Sequence, residues 1–440
     1  MTKHSTFLAS TTLLLAVVLL PLGAAAQSVE VRRPYRGLFG GDPNDKTASS
    51  FSVELMGAYD DNVYGGSGTN PAPTAAQQSG VFTGVSATLT LQRAGEKLSA
   101  GLSGTSDLRY YNADEFTAVS HQLSAFSGFR LSQRTNVRMF GGVGYSPLYT
   151  PIFMLTPTGE SPTPDGVTNA DQALSGARLT GDYAIVERAS LSYQGSFSLS
   201  QSVTSRASIG ARYTARYVDF TDGEETTQRF DTVAVSGGYR LSRYSSFRAG
   251  YGLNSYRMEN GVPTQRYHDF DFGIDYNRPL SLSGRRTRFT VAPGFALVSN
   301  GSGLQLRLAG SATLDHEIGR TWTARALYSR GVRFVEGADT EVLANTAQAG
   351  VNGLIGRRLR LSVEGHMILS DDEENARDYR TTASSARLSY ALSRRMSAYV
   401  QYIYYNYRFG EAVGLPVTQS GRTSRQGVRV GITLWTPVLQ

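Results

Sequence analysis

Arginines share one side of residues 206–218. Arg206, Arg212 and Arg216 fall on even positions with serine, glycine and threonine, and alanine, isoleucine and tyrosine occupy the odd positions up to Tyr217. Residues two apart in a β-strand lie on the same face. Guanidinium groups pair with carboxylates and hydrogen-bond hydroxyls, so the arginine face could bind anions or sugars. A strand of a soluble antiparallel sheet and a strand of a membrane barrel both explain this pattern.

The elements that would position these arginines recur at intervals of about forty residues. Eight short turn-like sequences each lie between two alternating stretches, and nine longer polar segments occupy the other connections. Eight turns and nine loops require 18 strands, with both chain ends on the short-turn side. Short periplasmic turns and longer external loops are typical of outer-membrane barrels. The turn sequences are LQRAGEK from Leu91, LSQRT from Leu131, LSQSVTS from Leu199, LSRYSS from Leu241, LSLSGRR from Leu280, IGRTW from Ile318, IGRRLR from Ile355 and LSRRMS from Leu392.

Most predicted strands alternate apolar and polar residues. In one of them Val428, Val430 and Ile432 alternate with Arg425 and Arg429. The strands are about ten or more residues long, the length that crosses a bilayer at a tilt. A soluble sandwich or propeller is the rival, but a propeller of this period supplies four short strands per repeat. We therefore predict an all-β, transmembrane, antiparallel up-and-down β-barrel of about 18 strands.

The N-terminus predicts export. A basic start, an apolar core and the small residues before Gln27 are typical of a cleaved secretory signal peptide, which we place at residues 1–26. Residues 27–50 are expected to be a short periplasmic segment and residues 51–440 the barrel. The chain has no cysteine, so it lacks disulfides and lipoprotein attachment. The expected location is the bacterial outer membrane.

Alternation also predicts which charged residues face the lumen. An arginine-weighted lumen favours anions or sugars. The alternative is that these arginines and acids pair across neighbouring strands and solvate the wall. The predicted pore-lining residues are Arg138, Arg206, Arg212, Arg216, Arg248, Arg307, Arg325, Arg360, Arg387, Arg425, Arg429, Asp269, Asp271, Asp275 and Glu364, with Glu54 and Asp107 as further inward acids.

One long loop is a candidate plug. Residues 146–166 contain five prolines and an apolar centre, so the loop is stiff and adhesive. It either folds into the lumen or packs across the external rim. The residues expected to form the plug are Pro151, Phe153, Met154 and Leu155.

Nothing in the sequence requires catalysis. Of the four histidines after the signal, His316 lies near a predicted periplasmic turn and the others lie in different predicted strands, and none has a recognisable serine motif beside it. Gly141–Gly144 lies within a strand and opens no helix, so it is not a phosphate-binding loop. We expect no enzyme activity, no cofactor and no metal.

The end of the first strand carries a family motif. Tyr59, Asp60, Asp61 and Asn62 resemble the motif of the β-barrel porin 2 family, and the repeated Leu-Ser-x-Arg turns are similar to that family as well. The resemblance implies an 18-stranded barrel that works with a periplasmic export protein in exopolysaccharide secretion. Larger exporters of this kind also carry an N-terminal helical repeat scaffold, whereas this chain has only the basic segment VRRPYRGLFGG in residues 27–50.

The expected function is an outer-membrane channel, first of all the pore of an exopolysaccharide export system. A general or anion-leaning solute porin is one alternative, and a non-conducting structural or adhesive barrel is another. The expected partners are outer-membrane lipid, lipopolysaccharide and a periplasmic polysaccharide export protein. Nucleic acid is not expected, because the net charge of +7 comes from basic residues scattered along the chain.

Overall fold

The computed structural model describes residues 47–61, 79–112, 116–147, 153–154, 189–220, 227–258, 265–282, 285–300, 303–319, 321–335, 341–370, 379–409 and 421–438. Within these ranges no helix has the length and apolar character needed to cross a membrane. The predicted signal peptide and most of residues 27–50 lie outside the described residues. The first strand begins at Thr47, four residues before the predicted barrel boundary at Phe51.

The described chain forms eighteen long strands and one strand of two residues. In chain order they are β1 (Thr47–Asp60), β2 (Gly80–Ala94), β3 (Leu98–Tyr111), β4 (Phe116–Arg130), β5 (Thr135–Ser146), the short β6 (Phe153–Met154), β7 (Ser190–Ser202), β8 (Ala207–Phe220), β9 (Gln228–Arg240), β10 (Ser245–Met258), β11 (Gln265–Leu282), β12 (Arg285–Asn300), β13 (Gly303–Ile318), β14 (Trp322–Val335), β15 (Glu341–Ile355), β16 (Leu359–Ser370), β17 (Tyr379–Ala391), β18 (Met396–Phe409) and β19 (Gly421–Pro437).

Each long strand pairs antiparallel with the long strands before and after it. The last strand also pairs with the first, from Ser50 opposite Pro437 to Asp60 opposite Gly427, so the sheet closes into a ring. Closure gives every long strand a long neighbour on both sides, except where β13 and β14 do not pair at their long-loop ends. The predicted all-β antiparallel barrel of 18 strands is confirmed.

The short turns are built by their own side chains. In three Leu-Ser turns a serine hydroxyl accepts a backbone N–H two residues on: Ser132 from Arg134, Ser242 from Tyr244 and Ser393 from Arg395. Such hydrogen bonds fold the chain back within a few residues. The Ile-Gly turns instead use Gly319 and Gly356, whose φ angles of 66° and 69° favour glycine. Both solutions let neighbouring strands join with little intervening chain.

One predicted loop is much shorter than expected. One of the nine longer polar segments counted in the sequence is SNGSG, residues 299–303, but only residues 301–302 separate β12 from β13, because Asn300 pairs with Gly303. Two-residue hairpins favour glycine and small polar residues, which this segment contains.

The two faces of the barrel differ in chemistry. On β19 the apolar residues Val428 and Val430 are exposed, 55% of Val430 being accessible, whereas Arg425 and Arg429 on the other face are only 5% and 6% exposed. A soluble protein hides its apolar face, so this arrangement is inverted. An outer face of exposed apolar side chains around a polar interior is what a barrel in a membrane requires.

Two junctions in the ring are irregular. The register of β11 with β12 shifts between His268 and Tyr276. Pairing of β13 with β14 ends at Gly310 opposite Arg330, so the long-loop ends of these two strands do not pair with each other. Leu306 and Leu308, beside this gap, are 66% and 70% exposed.

Candidate functional site

Register defines which residues share the inner face of the barrel, because directly paired residues of antiparallel strands lie on the same face. Six adjacent strands, β17 to β19 and β1 to β3, carry a continuous inner group that we name the closure cluster. Its members are Glu54, Asp60, Phe82, Arg109, Tyr111, Arg387, Tyr399, Arg425 and Arg429.

Glu54 organises one half of the closure cluster. Arg387 donates to Glu54 Oε2 at 2.9 Å, Thr433 donates to the same oxygen at 3.3 Å, and the Tyr399 hydroxyl donates to Oε1. The Arg387 guanidinium also lies 3.7 Å from the centre of the Tyr399 ring. Charge-assisted hydrogen bonds and ring stacking hold this arginine against the wall. It joins β17 to β1 across the two strands between them.

Asp60 organises the other half. Its Oδ2 accepts a hydrogen bond from Arg425 Nε at 2.6 Å, and both side chains are 6% exposed. The next residue, Asp61, accepts the backbone N–H of Gln426, while Tyr59 lies on the outer face. The motif residues Tyr59 to Asp61 therefore tie the end of β1 to β19. Asn62 lies outside the described residues.

Aromatic rings lie between arginines on this inner wall. Phe82 is fully buried, its ring centre is 5.1 Å from that of Tyr111, and the guanidiniums of Arg109 and Arg429 lie 5.9 Å and 5.7 Å from its centre. Distances of this size permit cation–π attraction. Sequence analysis missed Phe82, Tyr111 and Tyr399 as lumen residues. The sequence offered one signal for them: in the alternating pattern of their strands, each of these aromatic residues occupies a position on the polar face.

The inner face of β4, β5, β7, β8 and β9 is an arginine wall. Arg138, Ser198 and Arg212 pair in one row, and Arg216 lies four residues after Arg212 on the same face of β8. Tyr213, Ile209 and Phe197 mark the opposite, outer face by their exposure. Asp and Glu are absent from the inner-face positions that the structure describes in these five strands. The arginines give this part of the inner face a positive charge, which can attract anions.

Arg206 does not belong to this wall. The structure places it in the exposed turn before β8, where Thr204 Oγ1 accepts the backbone N–H groups of Arg206 and Ala207. Its predicted place as the first inward arginine of the strand was wrong. The alternation in the sequence continues by chance into a turn that the threonine side chain closes.

The strands next to this wall carry acids. Asp269, Asp271 and Asp275 share one face of β11 with Gly273, whose direct partner is Arg248 of β10. Arg248 is 3% exposed. Their register puts these positions on the inner face of adjacent strands, and their place in the pore lining stays a prediction.

Four further predicted residues lie on β13, β14 and β16. Arg325 is 3.5 Å from Asp315 in a pair whose side chains are 48% and 45% exposed. Arg360 donates to Asn352 Oδ1 at 3.0 Å. Arg307 and Glu364 lie on the inner face of β13 and β16. Sequence analysis did not identify Asp315 and Asn352, the partners of Arg325 and Arg360.

A short piece of the predicted plug loop pairs with a distant strand. Phe153 and Met154 form β6, which pairs antiparallel with Val335 and Phe334 at the end of β14. The loop leaves the barrel between β5 and β7, so this pairing joins strands from nearly opposite parts of the ring. Pro151 and Leu155 lie outside the described residues.

Groups for metal or acid–base chemistry are dispersed. Among the described residues no group of three His, Asp or Glu side chains could hold a metal ion. His121, His268 and His316 hydrogen-bond Ser106, Tyr251 and Thr287 on the outer face.

No protein-family model matches this chain. No curated protein matches it either. Three Pseudomonas aeruginosa structures are similar at low identity. OccK11 (OpdR) is 12% identical to this chain, the match covers 89% of this chain and 96% of OccK11, and the TM-score is 0.44. OccK2 (OpdF) in complex with glucuronate is 11% identical, with 89% of this chain and 98% of OccK2 covered and a TM-score of 0.45. The siderophore receptor PirA is 10% identical, with 90% of this chain and 81% of PirA covered and a TM-score of 0.39. This likeness is distant, and nothing about the solute of this chain follows from it.

Proposed function

We propose that this chain is an outer-membrane channel that favours anionic solutes. The observation that carries the proposal is the arginine wall, in which Arg138, Arg212 and Arg216 share the inner face of five strands without a described Asp or Glu. Rings of arginine or lysine favour anion passage through pores. The closure cluster adds four arginines against Glu54 and Asp60, so its balance is also positive.

Ion selectivity tests the proposal directly. The purified barrel is reconstituted in a planar bilayer under a KCl gradient, and the reversal potential gives the ratio of chloride to potassium passage. The wild-type protein should favour chloride. Replacing Arg138, Arg212 and Arg216 by glutamine should move the reversal potential toward zero, because the wall loses its positive field.

The same strands supply a matched control. Arg134, Arg206 and Arg243 are exposed arginines in the turns β4–β5, β7–β8 and β9–β10. Their replacement by glutamine removes the same charge from the rim and should leave selectivity nearly unchanged. A wild-type barrel that prefers potassium, or equal shifts in the two triple variants, would contradict the proposal.

Polysaccharide export is the second candidate. It is favoured by the pairing of β6 with β14, since an exporter needs a lumen that is closed at rest. In this proposal the loop of residues 146–166 is the plug. A periplasmic export protein would be its partner.

A reversible cross-link tests the plug. The chain has no cysteine, so Phe153→Cys with Val335→Cys introduces one defined pair at positions already paired in register. A plug predicts low conductance when the pair is oxidised and recovery on reduction. Deletion of residues 152–164 should give lasting high conductance. Large, steady openings in the intact wild-type protein would exclude a resting plug and leave the solute channel.

A further inference from the structure

Six strands carry arginine as the second residue from their long-loop end. They form two groups of three adjacent strands: Arg229, Arg257 and Arg266 on β9 to β11, and Arg380, Arg408 and Arg422 on β17 to β19. Each arginine is an even number of residues from an exposed apolar or aromatic residue of its strand, such as Val233, Tyr251, Phe272, Tyr390, Tyr402 and Val428. All six positions therefore belong to the outer face.

The second group is unusual in its register. Arg380 pairs directly with Arg408, and Arg408 pairs directly with Arg422. Like charges placed directly opposite one another destabilise a sheet. The described outer-face positions of β17, β18 and β19 include no Asp or Glu. We call these three positions the arginine row.

The rows below it show where the arginine row lies relative to the membrane. Next along the outer face come Thr382, Asn406 and Ser424, and then Ser384, Tyr404 and Gln426. The following row contains Tyr402 and Val428, and Tyr402 donates to Gln426 Oε1 at 3.0 Å. Polarity thus falls from arginine through small polar groups and tyrosine to aliphatic residues. Tyrosine marks the interface of a membrane barrel, so the arginine row lies at the level of lipid headgroups.

The first group serves as an internal comparison. Arg229 there is paired with Asp231 at 2.7 Å, and the Tyr213 hydroxyl donates to the same carboxylate. Protein groups therefore supply a counter-charge on β9. The described outer-face positions of β17 to β19 supply none, and an anion from the membrane can provide the counter-charge.

We propose that the arginine row binds the phosphates of a phosphorylated glycolipid, lipid A, in the outer leaflet. Guanidinium groups bind phosphate oxygens in pairs, and three arginines side by side match a headgroup that carries two phosphates. The lipid would remove the repulsion within the row and fix this sector of the barrel in the leaflet. The proposal rests on the outer-membrane location in the proposed function.

Lipid binding is measured on the detergent-solubilised full-length barrel. The probe is lipid A with both phosphates, and the readout is the temperature at which the folded band is lost in an SDS gel, followed as the lipid is titrated. The test variant carries Arg380→Gln, Arg408→Gln and Arg422→Gln. We expect its affinity for lipid A to fall at least about tenfold, because each basic residue adds to attraction for anionic lipid.

The control variant carries Arg357→Gln, Arg358→Gln and Arg394→Gln, which removes the same charge from the opposite rim in the turns β15–β16 and β17–β18. Its affinity should stay near wild type. The single variant Arg408→Gln gives the answer if the triple variant does not fold, and it should weaken binding less than the triple change. Equal losses in test and control variants would overturn the site.

Three further titrations identify the source of the phosphate. Dephosphorylated lipid A, phosphatidylglycerol and inorganic phosphate should each stabilise the wild-type protein less than lipid A does. Equal stabilisation by phosphatidylglycerol or by inorganic phosphate would overturn the assignment to lipid A. Conductance separates the two proposals: a barrel that does not conduct but loses lipid A binding in the test variant refutes the channel and keeps the lipid site. A chloride-selective barrel whose affinity for lipid A is unchanged in the test variant refutes the lipid site and keeps the channel.

Discussion

Two junctions in the ring hold their strands in different ways. At β19–β1 pairing runs the full height of β1 above Ser50, and the ion pair Asp60–Arg425 is buried and 2.6 Å long. At β13–β14 pairing stops at Gly310 and Arg330, and the ion pair Asp315–Arg325 is exposed and 3.5 Å long. The junction that joins the chain ends is thus the better connected one.

The difference shows where this barrel can change shape. The inner side of β19–β1 is filled by the closure cluster, so separating these strands would expose buried charges. In the upper part of β13–β14 the two strands do not pair, and the unpaired edge of β14 pairs with β6 from another part of the ring. An unpaired strand edge readily adds a strand. We therefore expect β13–β14 to be the adjustable junction and β19–β1 the fixed one.

The largest expected effect is at the buried pair. Asp60→Asn leaves the Arg425 charge buried without its carboxylate and should lower the free energy of unfolding by about 3–5 kcal/mol. Urea unfolding of the barrel in lipid vesicles measures this. A loss of under about 1 kcal/mol would show that β19–β1 is no stronger than an exposed junction.

A glycine in the same junction should give the next largest effect. A methyl group on Gly431 would lie 2.5 Å from the Leu55 carbonyl oxygen and 2.7 Å from the Tyr399 hydroxyl, so Gly431→Ala should cost about 1–3 kcal/mol. Gly57, on the same junction, has nothing within 4 Å of that position. Gly57→Ala is the control and should be nearly neutral by urea unfolding. Equal costs at both glycines would contradict tight packing inside this junction.

The exposed pair should give the smallest effect. Asp315→Asn removes one partner of Arg325, but solvent screens both side chains, so the expected loss is about 0–1 kcal/mol. The same urea experiment compares it with Asp60→Asn. If the two losses were equal, burial would not distinguish the two junctions.

Much of the fold could be predicted from local sequence patterns. Strand count followed from the repeated turn sequences, and inner and outer faces followed from alternation, as for Arg425 and Val428. Asp60 could be recognised as part of a family motif. Its ion pair with Arg425 could not be predicted, because that pairing depends on how the ring closes. The end of β13–β14 pairing at Gly310 and the pairing of β6 with β14 could not be predicted from the sequence either, since both depend on the tilt and stagger of distant strands. Arg206 shows that alternation alone does not mark where a strand begins.

The closure of the ring has a consequence for how the protein folds. Asp60 and Arg425 are separated by 365 positions in the chain, so their contact is among the most non-local that the molecule makes. Bringing together such distant residues is slow, because the entropy of a long loop is lost before the contact stabilises anything. The edge of β1 must therefore stay open until β19 arrives, and whatever shields that edge during synthesis and insertion determines whether the barrel forms or aggregates.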